Sequence, residues 1–203
     1  MNFGVLVFPG VEELDFVGPW EMLGMWRKFA RGPDPCLIVS QSLAPVTCAK
    51  GLSVNPHVSF LECPQLDFLL VPGGEGARTE IDNPILIDFI SKQARGCQGV
   101  LSVCTGSFLL HRAGLLTGKR ATTHRSALDR LRALGDVIVV EERVVRDGGT
   151  WSAGGVSAGI DLLLEFIASV AGQEAAAIVQ LAAEYFPQGE SSSTRSSQTP
   201  SRT

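Results

Sequence analysis

The sequence is short of the residues that build metal centres and of the cationic surplus that binds nucleic acid. Its 203 residues include three histidines, His57, His111 and His124, none of them near a pair of cysteines. The five cysteines, Cys36, Cys48, Cys63, Cys97 and Cys104, are odd in number and show no C-x-x-C spacing. Both shortages speak against a structural zinc site, whose ligands arrive in closely spaced pairs. Lysine and arginine number 17 against 21 aspartates and glutamates, so a strongly basic face for nucleic acid is missing. The N-terminus, MNFGVLVFPG, has no charged leader, and its apolar run is too short for a signal peptide or a membrane span. The expectation is a cytoplasmic protein with reduced thiols, without metal or cofactor, and without nucleic-acid or membrane partners.

Apolar side chains are plentiful. Hydrophobic residues make up 45% and charged residues 19%, enough to bury the core of one α/β domain in a chain that is short for two. Four runs, FGVLVF (3–8), CLIVS (36–40), DFLLV (67–71) and GVLSV (99–103), are apolar without alternation. That is the pattern of parallel strands covered by helices on both faces. The first, third and fourth end in PG, PGG and CTG, and helical spacing follows each turn, with helices expected over 11–30, 84–95 and 105–113. Farther on, 126–134 reads as an amphipathic helix and 136–155 as strands around a DGG turn. Residues 156–170 and 173–186 read as two helices packed inside, and 44–61 as extended pieces with a hairpin. The order predicts a single-domain α/β sandwich over 1–186, flavodoxin-like, with a mostly parallel central sheet flanked by helices. Residues 187–203 are rich in Ser, Thr and Pro, carry no large apolar side chain, and are expected to be a disordered tail.

In such sheets ligands bind at the carboxyl ends of the strands. Cys104 stands at one of these ends, between Ser102 and the small residues Thr105, Gly106 and Ser107. A sharp strand-to-helix turn exposes its central side chain and needs small neighbours. Helix N–H groups there favour a thiolate, which would hold the Cys104 pKa below its usual ~8.5. Position alone leaves two readings open, a reactive thiol or one more small buried hydrophobe. The other four cysteines lack this setting. Gly73 and Gly74 follow the 67–71 strand, where the absence of Cβ atoms lets backbone amides approach a ligand. With the Thr105 N–H they are expected to form an oxyanion-type pocket.

Four segments, VLVFPGVEELDFVGPWEML, DFLLVPGG, SVCTGSFLLHRAGLLTGKRATTH and WSAGGVSAGIDLLLEFI, resemble the ThiJ/PfpI superfamily with its glutamine amidotransferase-like fold. The likeness runs in order from residue 1 to about 186. The LDFVGP and CTGSFLLHRAGLLTGKRATTHR segments are most similar to isocyanide hydratases and to the sensor-like domains of AraC-type regulators.

The resemblance implies a Cys104 nucleophile, an acidic partner at Asp15, a homodimer and an isocyanide substrate hydrated to an N-substituted formamide. Asp15 is one methylene shorter than the glutamate of many members, which weighs against a glyoxalase-type hydratase of 2-oxoaldehydes. A helix would turn Glu12 and Glu13 about 200–300° away from Asp15. His124 matches a histidine near the nucleophile and either lines the site, supports the fold or takes part in catalysis. Gly154 and Gly155 precede the next helix and let it pack close to the nucleophile. Trp20 and Trp151 are candidates for apolar pocket walls or for the core, while His57 and His111 are expected to be structural or exposed. The rival readings are a cysteine-based redox sensor and an AraC-type ligand-sensing domain without its DNA-binding module.

Overall fold

The apolar runs fold as the inner strands of a parallel sheet, where helices on both faces leave no polar side to alternate with. The computed structural model describes residues 1–187. Its first half runs β1 (Phe3–Leu6), α1 (Glu13–Phe29), β2 (Cys36–Ser40), β3 (Val46–Thr47), β4 (Ser53–Val54), β5 (Val58–Ser59), β6 (Phe68–Val71), α2 (Ala77–Glu80) and α3 (Pro84–Ala94). The second half runs β7 (Gly99–Val103), α4 (Gly106–Arg112), β8 (Arg120–Ala121), α5 (Leu128–Arg132), β9 (Ile138–Val139), β10 (Val144–Asp147), β11 (Thr150–Ala153), α6 (Ala158–Ala171) and α7 (Gln173–Ala182).

Seven strands join in the order β10-β11-β7-β6-β1-β2-β5. All neighbours are parallel except β10 and β11. This is the expected α/β architecture with a mostly parallel central sheet. Every residue of β1, β6 and β7 is buried. The Phe166 ring of α6 meets Phe3, Phe68 and Trp151 edge-on, at centroid separations of 6.2, 5.0 and 5.6 Å. Edge-to-face pairs of this kind add about 0.5–1.5 kcal/mol beyond area burial. Trp151 therefore belongs to the core.

Three expectations change in detail. The strand pair over 136–155 does more than form a hairpin, because β11 also adds to β7 in parallel, with Ala153 opposite Val103. The 126–134 helix is cut short: a 3₁₀ turn occupies Arg125–Ala127 before α5 begins, since the Ser126 amide donates to the His124 ring at 3.2 Å. Helix α7 is only half packed: its Leu181 is 67% exposed and Phe186, just beyond it, 60%, against the expectation of an inside helix. The hairpin expected within 44–61 is β3 with β4, and β5 adds to the sheet edge beside β2. Of the expected tail, residues 188–203 lie outside the described residues. Among the described residues no helix is long and apolar enough to cross a membrane.

Because β1, β6, β7 and β11 run parallel, the loops after all four gather at one edge of the sheet. Val11, after β1, bridges Gly74, after β6. The site lies at that edge.

Candidate active site

Cys104 follows β7 directly and adopts φ +56°. A left-handed backbone at a residue with a Cβ costs roughly 1–2 kcal/mol, so surrounding bonds must hold it. The Cys104 N–H donates to the carbonyls of Ala153 (3.1 Å) and Gly154 (2.8 Å). Its own carbonyl accepts from Thr123 Oγ1 (2.9 Å) and Ser107 Oγ (3.2 Å). The turn is thus clamped on both sides of the strained residue. Thr123→Val keeps the shape of this buried side chain and removes one clamp. It is expected to lower stability by about 1 kcal/mol, read from urea unfolding, with a lesser loss of turnover because Ser107 remains.

Asp15 enters from the first turn of α1 and is fully buried. Its Oδ2 accepts the Gly73 N–H at 2.9 Å, while Oδ1 has no partner. Pro19, four residues on, has no N–H to give to the Asp15 carbonyl, which frees this turn of one helical bond. Burial lifts the Asp15 carboxyl from 3.8 to about 7, and the charge of Glu12 adds to the rise. The Gly73 amide, the Cys104 thiol and Lys50 oppose it.

The thiol departs from expectation. Cys104 is 7% exposed, and burial first, then the Asp15 charge, push its pKa up to about 12 rather than down. Hydrogen bonds from the Thr105 backbone and side chain and from the Val156 backbone counteract only part of this. Helix α4 has seven residues, and its N-terminal field is outweighed by desolvation. Burial thus favours the protonated form of both groups, the thiol of Cys104 and the carboxyl of Asp15 beside it.

Gly73 and Gly74 pack against the cysteine turn, but their amides face inward. Gly73 N–H serves Asp15, and Gly74 N–H donates to Thr105 Oγ1 at 3.0 Å. The expected use of these two amides as open oxyanion donors is corrected accordingly: they fix the acid and Thr105. Gly74 has φ +122°, and a Cβ there would stand 2.4 Å from the Glu12 nitrogen, so no other residue fits.

His124 lines a cleft of about 180 Å³ together with Cys104, Thr105, Gly74, Arg78 and Glu12. Its Nδ1 stands 2.8 Å from Ser126 Oγ and 3.2 Å from the Ser126 amide, contacts that orient the ring. Gly155 lies against that ring: a Cβ would approach Cδ2 to 2.0 Å and Nε2 to 2.8 Å. Gly155→Ala is expected to swing the ring and cost about 1–3 kcal/mol, seen as a lower Tm and a displaced His124 in a crystal structure of the variant. Gly154 contributes its carbonyl to Cys104.

Glu12 is the residue that sequence reasoning placed wrongly. It is the N-cap of α1, with φ −72° and ψ 124°, so helical spacing does not apply to it. It lines the cleft, pairs with Lys50 and adds to the Asp15 shift. Glu13 instead accepts the Lys50 amide at 2.7 Å, tying α1 to the β3–β4 hairpin. Thr123, Val156 and Arg78 were also missed. Thr123 is the neighbour of His124 in ATTHR, and that adjacency was the available signal. The remaining candidates are structural. His57 accepts the Ile38 amide at 2.8 Å and packs against Trp20 at 5.6 Å, and His111 pairs with Asp136 at 2.7 Å.

Comparison with known proteins gives the chain its family. A model of the DJ-1/PfpI family matches residues 2–169. Isonitrile hydratase of Pseudomonas putida is 44% identical over 188 residues, 92% of this chain and 79% of that one. The HTH-type transcriptional regulator CdhR of Pseudomonas aeruginosa is 30% identical over 86% of this chain, which spans 52% of the regulator. Among solved structures, a ThiJ/PfpI family protein from Pseudomonas syringae superposes with a TM-score of 0.85 at 36% identity, covering 93% of this chain and 76% of that one. Drosophila melanogaster DJ-1beta shares the fold with a TM-score of 0.79 at 20% identity, over 90% and 97% of the two chains. With its fold and nearly its whole length matched, the chain belongs to the DJ-1/PfpI family.

Proposed function

We propose that this protein is an isocyanide hydratase, converting R–N≡C and water to R–NH–CHO through a covalent bond to Cys104. The observation that carries the proposal is the 44% identity to isonitrile hydratase across nearly the whole chain. The site chemistry is consistent with it. The terminal isocyanide carbon resists water but accepts a soft thiolate. As Cys104 Sγ bonds to that carbon, the thiol proton passes to Asp15 and from there to the same carbon, giving the thioimidate R–N=CH–S–Cys104. Asp15, again a carboxylate, then draws a proton from water as the oxygen adds to carbon. One water proton ends on nitrogen and the other on Sγ, and the C–S bond breaks to release the formamide. A carboxyl lifted to about 7 is matched to giving and taking a proton near neutral pH. The small cleft accommodates a linear –N≡C group, with Thr105 and His124 as polar residues in its wall.

The test is formamide production from cyclohexyl isocyanide, with methylglyoxal run in parallel. Formamide from the wild type supports the reading. Turnover of methylglyoxal alone would replace it with the glyoxalase-type alternative. Turnover of neither would leave the sensor readings, of which the ligand-sensing one is favoured by the 30% identity to CdhR. The homodimer and cytoplasmic location implied by the family form part of the proposal. A monomer in light scattering would remove the first, and export in a cell-fractionation experiment the second.

A further inference from the structure

Beside the reaction cleft lies a larger cavity of about 380 Å³, and the two share Arg78 and Thr105. Its other walls are Ala77, Ile81, Phe108 and Arg130. Phe108 is 6% exposed and forms an apolar floor, with the Arg130 guanidinium 4.9 Å from its ring centroid. No carboxylate lines this cavity, although the chain as a whole carries a net charge of −4. Among the described residues neither Arg78 nor Arg130 forms an ion pair. Arg132, on the same helix as Arg130, is by contrast tied to both Asp129 and Glu141. The reaction cleft differs in holding carboxylates: Glu75 and Glu12 stand in its wall beside Arg78, Glu12 paired with Lys50, and Asp15 is buried beside Cys104.

Two arginines without carboxylate partners, set around an aromatic floor, present forked N–H donors to an anion. Asp15 and Glu75, neither in an ion pair among the described residues, disfavour that anion beside Cys104, so charge and isocyanide sit apart. We propose that the substrate is an isocyanide bearing a carboxylate, the two groups joined by an apolar spacer that crosses Phe108, with Arg78 and Arg130 holding the carboxylate. This assignment rests on the hydratase reading above and names the substrate class it serves.

The experiment compares kcat/KM for 6-isocyanohexanoate, its methyl ester and isocyanoacetate, in the wild type and in the Arg78→Gln/Arg130→Gln double variant. The wild type is expected to favour 6-isocyanohexanoate over the ester by roughly tenfold, the scale of a charge-assisted contact. Isocyanoacetate, which would place its charge beside Asp15 and Glu75, is expected to be the poorest of the three. In the double variant the ratio of acid to ester should fall close to one. Equal kcat/KM for acid and ester in the wild type, or a ratio that survives the double substitution, would overturn the assignment. Calorimetric binding of 6-formamidohexanoate separates the two levels of the argument. Binding weakened roughly tenfold in the double variant of a protein that hydrates no isocyanide would sink the hydratase reading and keep the carboxylate site. Binding of equal strength in both proteins would sink the site.

Discussion

Replacing Cys104 with alanine is expected to abolish formamide production, by roughly 10⁴-fold or more, because no other group can form the covalent intermediate. The assay is product formation by chromatography under single-turnover conditions, alongside intact-protein mass spectrometry for the thioimidate. Formamide from Cys104→Ala at the wild-type rate would eliminate the covalent mechanism. A second substitution separates chemistry from backbone strain. Cys104→Gly is equally unable to react, yet it relieves the left-handed conformation at φ +56°. It is expected to be more stable than Cys104→Ala by about 1 kcal/mol. Two inactive variants that differ in this direction show that the protein tolerates an unfavourable backbone in order to present the thiol.

Asp15→Asn is expected to lower turnover by about 10²–10⁴-fold, the range of a lost general acid–base, while making the protein more stable at pH 8. The sign follows from the shift. Burial raises the folded-state pKa from 3.8 to about 7, so the folded protein keeps a proton that the unfolded chain has already released. The Asp15 contribution to stability is therefore most favourable below about pH 4, falls as pH rises toward 7, and carries the full penalty of a buried carboxylate above it. Each pH unit of displacement corresponds to about 1.4 kcal/mol, so the asparagine variant should gain a few kcal/mol at pH 8 and nothing at pH 4. Paired urea titrations across that range measure the difference. A variant that is less stable than wild type at pH 8 would show that the carboxylate is better solvated than its burial indicates. Activity carries a related signature. Attack needs one proton shared between Cys104 and Asp15, and a second proton blocks the base. Wild-type kcat/KM is expected to fall about tenfold per pH unit below 7 and to level above it.

The sheet was legible in the sequence because unbroken apolar runs such as DFLLV and GVLSV have few other uses. Cys104 stood out because its small neighbours mark a sharp turn after such a run, and the family resemblance paired it with Asp15. What escaped was whatever depends on tertiary partners. The Gly73 and Gly74 amides look free in a turn and prove to be taken by Asp15 and Thr105. The direction of the Cys104 pKa depends on how much water reaches the sulfur, and local sequence does not record that. Glu12 was misplaced because helical geometry was extended to a residue that is only the cap of α1. Arg78 and Arg130 come together from separate helical segments, and an unpaired arginine cannot be told from a paired one such as Arg132 by spacing.

The clamp on the Cys104 amide has a consequence for how the protein is made. Both of its acceptors, Ala153 and Gly154, lie at the end of β11, the last strand of the sheet to be synthesised. A nascent chain that has emerged only as far as β10 already contains Cys104, Asp15, Gly73 and Gly74, with Ser107 and Thr123 to hold the Cys104 carbonyl, but nothing yet accepts the Cys104 N–H. Domains fold as their segments leave the ribosome at roughly 5–20 residues per second, so the thiol spends several seconds outside its finished geometry. The candidate site is thus closed by the final strand, and a chain truncated before it carries Cys104 and Asp15 with the turn held on one side only.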